Sequence, residues 1–311
     1  MRLSIVIPVY CEEMLIEQCH ARIKKALESL SKYEHEIIFV NDGSTDQTLT
    51  ILKNISSNDP SVRVVSLSRN FGHQIALTAG LDIASGDAVV VIDADLQDPP
   101  ELIPEMIKKW EEGYKVVYAQ RTKRKGETRF KLWTASLFYR FMRKMTDVNI
   151  PVDTGDFRLM DKKVVDHLRS FRERSRFIRG IVSWIGFKQT AVEYVREERL
   201  NGETKYPFRK MLKFAIDGIT SFSHKPLKMA LTMGIVSTTV GLLLICYALI
   251  SKLFFTQTTL SGWTSLLLVV VFFGGIQLST IGIIGEYIAR IYDETKQRPL
   301  YIVEEEWNGK H

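Results

Sequence analysis

Ala88-Val89-Val90-Val91-Ile92-Asp93-Ala94-Asp95-Leu96-Gln97-Asp98-Pro99-Pro100 is an apolar, β-branched run that ends abruptly in carboxylates and a double proline. Five apolar residues bounded by turn-forming residues read as a strand buried on both faces. The prolines set the opening of a helix. Asp93 and Asp95 flank one small residue at the strand's end, so both side chains reach one face there. Two carboxylates so placed repel each other unless a cation neutralises them, and a hard divalent ion with oxygen ligands does so. Mg2+ or Mn2+ bridging the pair to a diphosphate is the natural use, with Gln97 supplying a further oxygen.

Outward from this stretch, Leu3–Val9, Glu36–Val40, Val62–Leu67 and Lys115–Tyr118 read as further strands, separated by segments of three- and four-residue apolar spacing. That alternation predicts an α/β domain whose mostly parallel sheet is covered by helices. Ligands of such sheets sit beyond the C-terminal strand ends. Here those ends carry Pro8-Val9-Tyr10, Asn41-Asp42-Gly43-Ser44 and Asp93-Ala94-Asp95. Gly43 to Asp46 satisfy a turn and a helix cap, whereas Asp42 stands at the strand's mouth, within reach of a base or ribose. The sequence contains neither GxGxxG after the first strand nor GxxxxGK[ST], so dinucleotide and P-loop modes of phosphate binding have no support.

Past residue 228 the composition changes. No charged residue lies between Lys228 and Lys252, nor between Lys252 and Glu286. Each gap holds the roughly 20 apolar residues needed to cross a bilayer. Transmembrane helices are expected at 229–251 and 264–286, followed by a tail over 287–311. Gly274, Gly275, Gly282 and Gly285 would let the second span pack closely on a neighbour. Lys205, Arg209, Lys210, Lys213, Lys225 and Lys228 precede the first span, Arg290, Lys296 and Arg298 follow the second, and Lys252 stands alone near the connection. The positive-inside bias places both termini in the cytoplasm of a multi-pass protein of the cell membrane. Residues 204–228 form the juxtamembrane segment, within which Tyr206 to Phe222 read as an amphipathic helix along the membrane surface.

The chain carries 42 Lys and Arg against 36 Asp and Glu, a net +6. The basic residues interleaved with aromatics between Arg129 and Lys144 imitate a nucleic-acid surface, but beside membrane spans anionic lipid is the better partner. Cys11, Cys19 and Cys246 form no CxxC pair, which argues against a disulfide framework or structural zinc site. The apolar run Ser4 to Val9, broken by Pro8, is too short for a signal-peptide core, so the catalytic part is expected to stay in the cytoplasm.

Ser4-Ile5-Val6-Ile7-Pro8-Val9-Tyr10, Asn41-Asp42-Gly43-Ser44, the Asp93 to Pro100 stretch and Thr154-Gly155-Asp156-Phe157-Arg158, in this order, resemble family 2 glycosyltransferases of the GT-A fold. The nearest branch is that of polyprenyl-phosphate glycosyltransferases, including dolichol-phosphate mannose synthases and bactoprenol glucosyltransferases, the latter also ending in two membrane spans. The resemblance implies a GT-A catalytic domain over 1–203. It implies that Pro8, Tyr10, Glu12 and Asp42 line the nucleoside pocket and that Asp93, Asp95 and Gln97 hold Mg2+ or Mn2+ with the diphosphate. Asp156 matches an acidic residue implied as a base or acceptor-positioning group, the structural alternative being a salt bridge with Arg158. A lipid phosphate is already ionised near neutral pH, so positioning is the better role. Arg121 and Arg124 lie where the family has a loop over the active site. Arg199 and Lys205, in Arg199-Leu200-Asn201-Gly202-Glu203-Thr204-Lys205-Tyr206, resemble a signature that would clamp the acceptor phosphate or the donor diphosphate.

The activity so implied is inverting transfer of a hexose, first of all glucose from UDP-glucose, onto a polyprenyl phosphate such as undecaprenyl phosphate. GDP-mannose, UDP-N-acetylhexosamines and other UDP-hexoses fit the same scaffold. A processive polysaccharide synthase would show Gln-x-x-Arg-Trp and more spans. A non-catalytic module that binds nucleotide sugars or scaffolds a flippase would not need the aspartate pair. The apolar spans also suit a homo-oligomer.

Overall fold

The computed structural model describes residues 1–123, 151, 154–195, 225–254 and 263–308. They divide into two compact units: residues up to 195 together with those from 298 onward, and residues 225–297.

In the first unit the elements run β1 (Arg2–Val9), α1 (Ile16–Glu28), β2 (Glu34–Asn41), α2 (Thr48–Asn58), β3 (Val62–Leu67), α3 (His73–Ile83), β4 (Ala88–Val91), a single 3-10 turn, α4 (Ile103–Glu111) and β5 (Val116–Lys123). After the undescribed stretch come β6 (Thr154–Asp161), α5 (Lys162–Ser170), α6 (Ile178–Ile185) and β7 (Gln189–Val195). One eight-stranded sheet has the order β7-β5-β6-β4-β1-β2-β3-β8, with β8 spanning Val303–Asn308. Neighbours β4-β1-β2-β3 and the pair β5-β7 are parallel, whereas β6 runs antiparallel to β4 and β5, and β8 to β3. All five strands read from the sequence are present. β6, β7 and β8 are additional.

The sheet is buried on both faces, which is why β1 is apolar almost throughout. Leu3, Ile5, Ile7, Ile37, Phe39, Val90 and Phe157 join one core with Ile16 and Ile23 of α1, Leu52 of α2 and Met106 of α4. On the other face α3 lies nearly flush with β1 and β2. A Cβ on Gly80 would come 2.3 Å from Val6 Cγ1 and 3.1 Å from Val40 Cγ2. That close approach fixes where the N-terminus of α3 meets the strand ends. Pro8 sits in the centre of the sheet without loss of a ladder bond. The β4 pairing ends at Val6↔Val91, with Ile92 N–H donating to the Val6 carbonyl, so the bare Pro8 nitrogen faces a position that β4 has already left.

The second unit is two helices packed on each other, α7 (Lys225–Phe254) and α8 (Trp263–Thr295). Within them Lys225–Tyr247 and Val269–Thr295 are long and apolar enough to cross a membrane, with mean hydropathies of 2.1 and 1.7. Only 6% and 0% of these apolar stretches are buried, which sets them apart from core helices of a soluble protein. Phe273 approaches Gly241, whose Cβ position lies 3.5 Å from the ring. Among the described residues nothing comes within 4 Å of the Cβ positions of Gly274, Gly275, Gly282 or Gly285, so the close packing expected of them is not made within this hairpin.

The tail expected over 287–311 is corrected: α8 continues to Thr295 and the chain then returns to the first unit as β8. Trp307 packs against the core beneath Lys53, whose Nζ lies 3.7 Å from the indole centroid, while Glu304, Glu305 and Glu306 stay exposed. An acidic hexapeptide reads as a tail because only one face of this edge strand is covered. The amphipathic helix expected over Tyr206 to Phe222 and the basic, aromatic stretch from Arg129 to Lys144 lie outside the described residues.

Candidate active site

The C-terminal ends of β1 and β2 are tied together by side-chain bonds to the main chain. The Cys11, Glu12 and Glu13 amides donate to Ser44 Oγ, Thr48 Oγ1 and Asp46 Oδ2 at 3.0, 3.0 and 3.4 Å. Cys11 itself takes a positive φ of 54°, turning the chain so that Tyr10 stays 43% exposed at the mouth, available for stacking. Pro8 is buried in β1 beneath it.

Asp42 is buried, and its two carboxylate oxygens accept the Phe71 and Gly72 amides at 2.7 and 2.9 Å. Burial pushes its pKa up against these two bonds and the nearby His73 and Arg69 charges. Asp42 therefore shapes the loop after β3 as well as standing at the strand mouth. Gly43 is required there: at φ +65° a side chain would be strained, and its Cβ would lie 2.4 Å from the Arg69 carbonyl carbon. On that loop the Arg69 guanidinium stacks 3.9 Å over the Phe71 ring, a pair that the sequence reading did not single out.

Four carboxylates gather where β4 ends: Asp93, Asp95, Asp98 and Asp156, the last from the neighbouring β6. Asp95 Oδ1 accepts the Gln97 amide at 3.1 Å across a turn in which Leu96 has φ 58°. Gln97 is buried against this turn. Asp93 Oδ1 is buried and has no hydrogen-bond partner among the described residues; His73 Nε2 stands 3.5 Å away. Burial raises the Asp93 pKa to about 6; His73 opposes the rise, and Asp156, Asp98 and Asp95 add to it. An orphaned oxygen in a crowd of like charges fits a cation-binding edge. No group of three His, Cys, Asp or Glu side chains that could hold an ion occurs among the described residues. Mg2+ sites use one or two carboxylates completed by substrate phosphates, and the Asp93/Asp95 edge suits that arrangement.

Asp156 sits 5% exposed behind this edge, held by groups that the sequence reading did not select. Arg179, from α6, donates from Nε to Oδ1 at 2.8 Å and from Nη2 to Oδ2 at 3.1 Å, while its Nη1 reaches the Thr154 carbonyl. Gln74 Nε2 adds a bond to Oδ2 at 3.0 Å, and His73 Nε2 lies 3.2 Å from the same oxygen. Burial works against ionisation of Asp156, but Arg179 and His73 hold its pKa well below the usual carboxylate range. The expected alternative pairing with Arg158 is absent. The buried Arg158 donates instead to the Gly155 and Asp156 carbonyls, while both Asp156 carboxylate oxygens are taken by Arg179.

Arg121, expected over the phosphates, is anchored at 15% exposure. Its Nε donates to the Tyr194 hydroxyl at 2.9 Å, and Nη2 lies 3.5 Å from the buried Asp98, to which Tyr194 also donates. Gly155 makes room for this fork: its Cβ would lie 2.8 Å from Arg121 Nη2. Glu12 caps α1 through its carbonyl, which accepts the Leu15 and Ile16 amides. Arg124, Arg199 and Lys205 lie outside the described residues. The structure thus gathers Asp93, Asp95, Gln97, Asp98, Arg121 and Asp156 at one end of the sheet, and adds His73, Gln74, Arg179 and Tyr194. Gly72 followed by two polar residues at a helix start marks a further strand-end loop and was the available signal for His73 and Gln74.

Residues 4–169 match the family described as Glycosyl transferase family 2. The chain belongs to that family. Family 2 membership and the strand order make this a GT-A fold, and the protein is a glycosyltransferase. It is 59% identical over 304 residues to the uncharacterized glycosyltransferase YkcC of Bacillus subtilis, covering 98% of this chain and 94% of that protein. Uncharacterized glycosyltransferase sll0501 of Synechocystis is 48% identical, covering 98% and 95%. The bactoprenol glucosyl transferase of Shigella phage SfV is 43% identical over 306 residues, 98% of this chain and 99% of that one. The likeness to these family 2 proteins extends through the two apolar helices and the returning strand.

Proposed function

We propose that this glycosyltransferase moves glucose from UDP-glucose onto a membrane-held polyprenyl phosphate such as undecaprenyl phosphate, with inversion at the anomeric carbon. The observation that carries the reading is the carboxylate edge at the end of β4 in a chain whose two apolar helices are inserted within the catalytic unit's own sequence. Full-length likeness to bactoprenol glucosyl transferases supports both glucose and the lipid acceptor.

Asp93, Asp95 and Gln97 would hold Mg2+ or Mn2+, which when bound supplies positive charge to the departing diphosphate. Tyr10, Asp42, Glu12 and the turn above Pro8 frame the nucleoside. Asp156, whose carboxylate is filled by donors, acts by positioning rather than by taking a proton. Arg121 adds positive charge beside Asp98. Arg124, Arg199 and Lys205 are assigned the diphosphate and acceptor phosphate by family resemblance. Return of the chain to the catalytic unit after α8 supports a reading in which both hairpin ends share one side of the membrane, and the flanking lysines and arginines favour the cytoplasmic side.

Purified full-length protein with undecaprenyl phosphate and Mn2+, offered a panel of UDP- and GDP-sugars, tests the reading. Glucosyl lipid from UDP-glucose is expected, and Asp95→Asn should lower its formation by roughly 10²–10³-fold, as for loss of a group stabilising transition-state charge. Near-normal transfer by folded Asp95→Asn, or transfer to no lipid from any donor, overturns it.

A further inference from the structure

The frame around Asp156 includes the half-buried His73. Asp156 is 5% exposed and Arg179 27%, with Arg179 engaged by the Asp156 carboxylate and the Thr154 carbonyl. Gln74 is locked in orientation because its Oε1 accepts the Ile178 amide while its Nε2 donates to Asp156. His73 is 37% exposed and places a single atom, Nε2, between two carboxylates: Asp156 Oδ2 at 3.2 Å and Asp93 Oδ1 at 3.5 Å. That Asp93 oxygen has no hydrogen-bond partner among the described residues, so His73 is the group nearest to orienting it. His73 is also the first residue of α3, and Gly80 seats that helix against Val6 and Val40, which makes the imidazole's location a property of the sheet rather than of a free loop.

We propose that His73 is a positioning residue for the metal-binding carboxylate of Asp93, and that Asp156 serves the reaction by holding His73 in place. This rests on the reading of Asp93 as a ligand of the divalent ion. A ligating carboxylate needs its orientation fixed by an outer hydrogen bond, and loss of such a partner ordinarily costs about 10–100-fold in metal affinity. The chain of contacts brings such a partner to ion-pair distance: Arg179 and Gln74 hold Asp156, Asp156 holds the imidazole, and the imidazole faces Asp93 Oδ1 at 3.5 Å. It gives the buried Asp156 a role that needs neither proton transfer nor contact with the acceptor.

The test is calorimetric titration of Mn2+ with UDP into the detergent-solubilised full chain, beside thermal unfolding of each variant. His73→Ala is expected to bind at least about tenfold more weakly. Gln carries its amide nitrogen close to the imidazole Nε2 position and Asn close to Nδ1, so His73→Gln should stay within about threefold of wild type while His73→Asn behaves like Ala. Asp156→Asn should weaken binding as well, and combining it with His73→Ala should add little, because the two act in series. Unchanged affinity in folded His73→Ala, rescue by Asn but not Gln, or multiplying losses in the double variant overturns the proposal. Should His73→Ala fail to fold, the Gln and Asn pair decides. Wild-type protein that binds no Mn2+ with UDP overturns the metal site itself, and this inference with it.

Discussion

Arg179 closes on the Asp156 carboxylate with two parallel bonds, Nε to Oδ1 at 2.8 Å and Nη2 to Oδ2 at 3.1 Å. The two residues lie 23 positions apart, on α6 and β6, so this fork joins a helix to the strand beneath the site. Removing one partner of a buried pair leaves an uncompensated charge, which ordinarily costs about 3–5 kcal/mol. Arg179→Ala should therefore lose stability on that scale in urea unfolding. Arg179→Lys should recover only part of it, since an ammonium cannot make the paired contact. Equal stability of Lys and Arg at this position would show that charge alone matters.

The pH dependence follows from Asp93. Its pKa is raised to about 6, chiefly by burial, with Asp156, Asp98 and Asp95 adding to the rise against His73. Only the ionised carboxylate binds a cation, so above about pH 6 the site is ready and below it protons compete with metal. Mn2+ affinity should fall as pH drops from 7 to 5, and higher Mn2+ should move the midpoint of activity to lower pH. A midpoint near pH 4 that ignores Mn2+ concentration would assign the titration elsewhere.

Arg121 and Asp98 offer a test that separates anchoring from donor binding. Asp98 is 1% exposed and is met by Arg121 and the Tyr194 hydroxyl. Arg121→Ala should cost about 3–5 kcal/mol because it leaves this buried carboxylate without its charged partner, and Asp98→Asn in the same chain should restore much of the loss. Were Arg121 chiefly a diphosphate contact, Arg121→Ala would raise the donor KM at nearly unchanged stability.

What the sequence disclosed depended on how each element is buried. The parallel strands β1 to β4 are covered on both faces and read as continuous apolar runs, so they and the Asp93/Asp95 edge at their end were legible. All eight residues of β6 are also buried, yet Thr154-Gly155-Asp156-Phe157-Arg158-Leu159-Met160-Asp161 reads as polar, its two carboxylates being met by groups distant in the chain. Asp156 is met from His73 and Arg179, and Asp161 from Trp110 and Lys115. Periodicity does not encode such pairings. His73 and Gln74 lie 83 and 82 residues before Asp156 and come to it only because α3 is seated on β1 and β2 by Gly80.

The returning strand gives the last expectation. β8 pairs antiparallel with β3, from Arg63↔Asn308 to Leu67↔Val303, and covers an edge whose residues Val64, Val65 and Leu67 are buried. Before it, Tyr301 donates to Asp82 Oδ2 at 2.9 Å, and Arg174 donates to the Arg298 carbonyl at 2.7 Å. A solvated tail could be removed without effect. Ending the chain after Gln297 should instead uncover the β3 backbone, whose unpaired groups would template pairing with other chains. Such a truncated protein should unfold at lower temperature and scatter light in a concentration-dependent way. Lys53→Ala in the full chain, which removes the cation over Trp307 and an exposed ion pair with Glu305, should cost only about 0.5–1 kcal/mol. A truncated chain as stable and as monodisperse as the full one would return β8 to the status of a tail. A large loss from Lys53→Ala alone would move the strand's stabilisation from its backbone pairing to that single stacked cation.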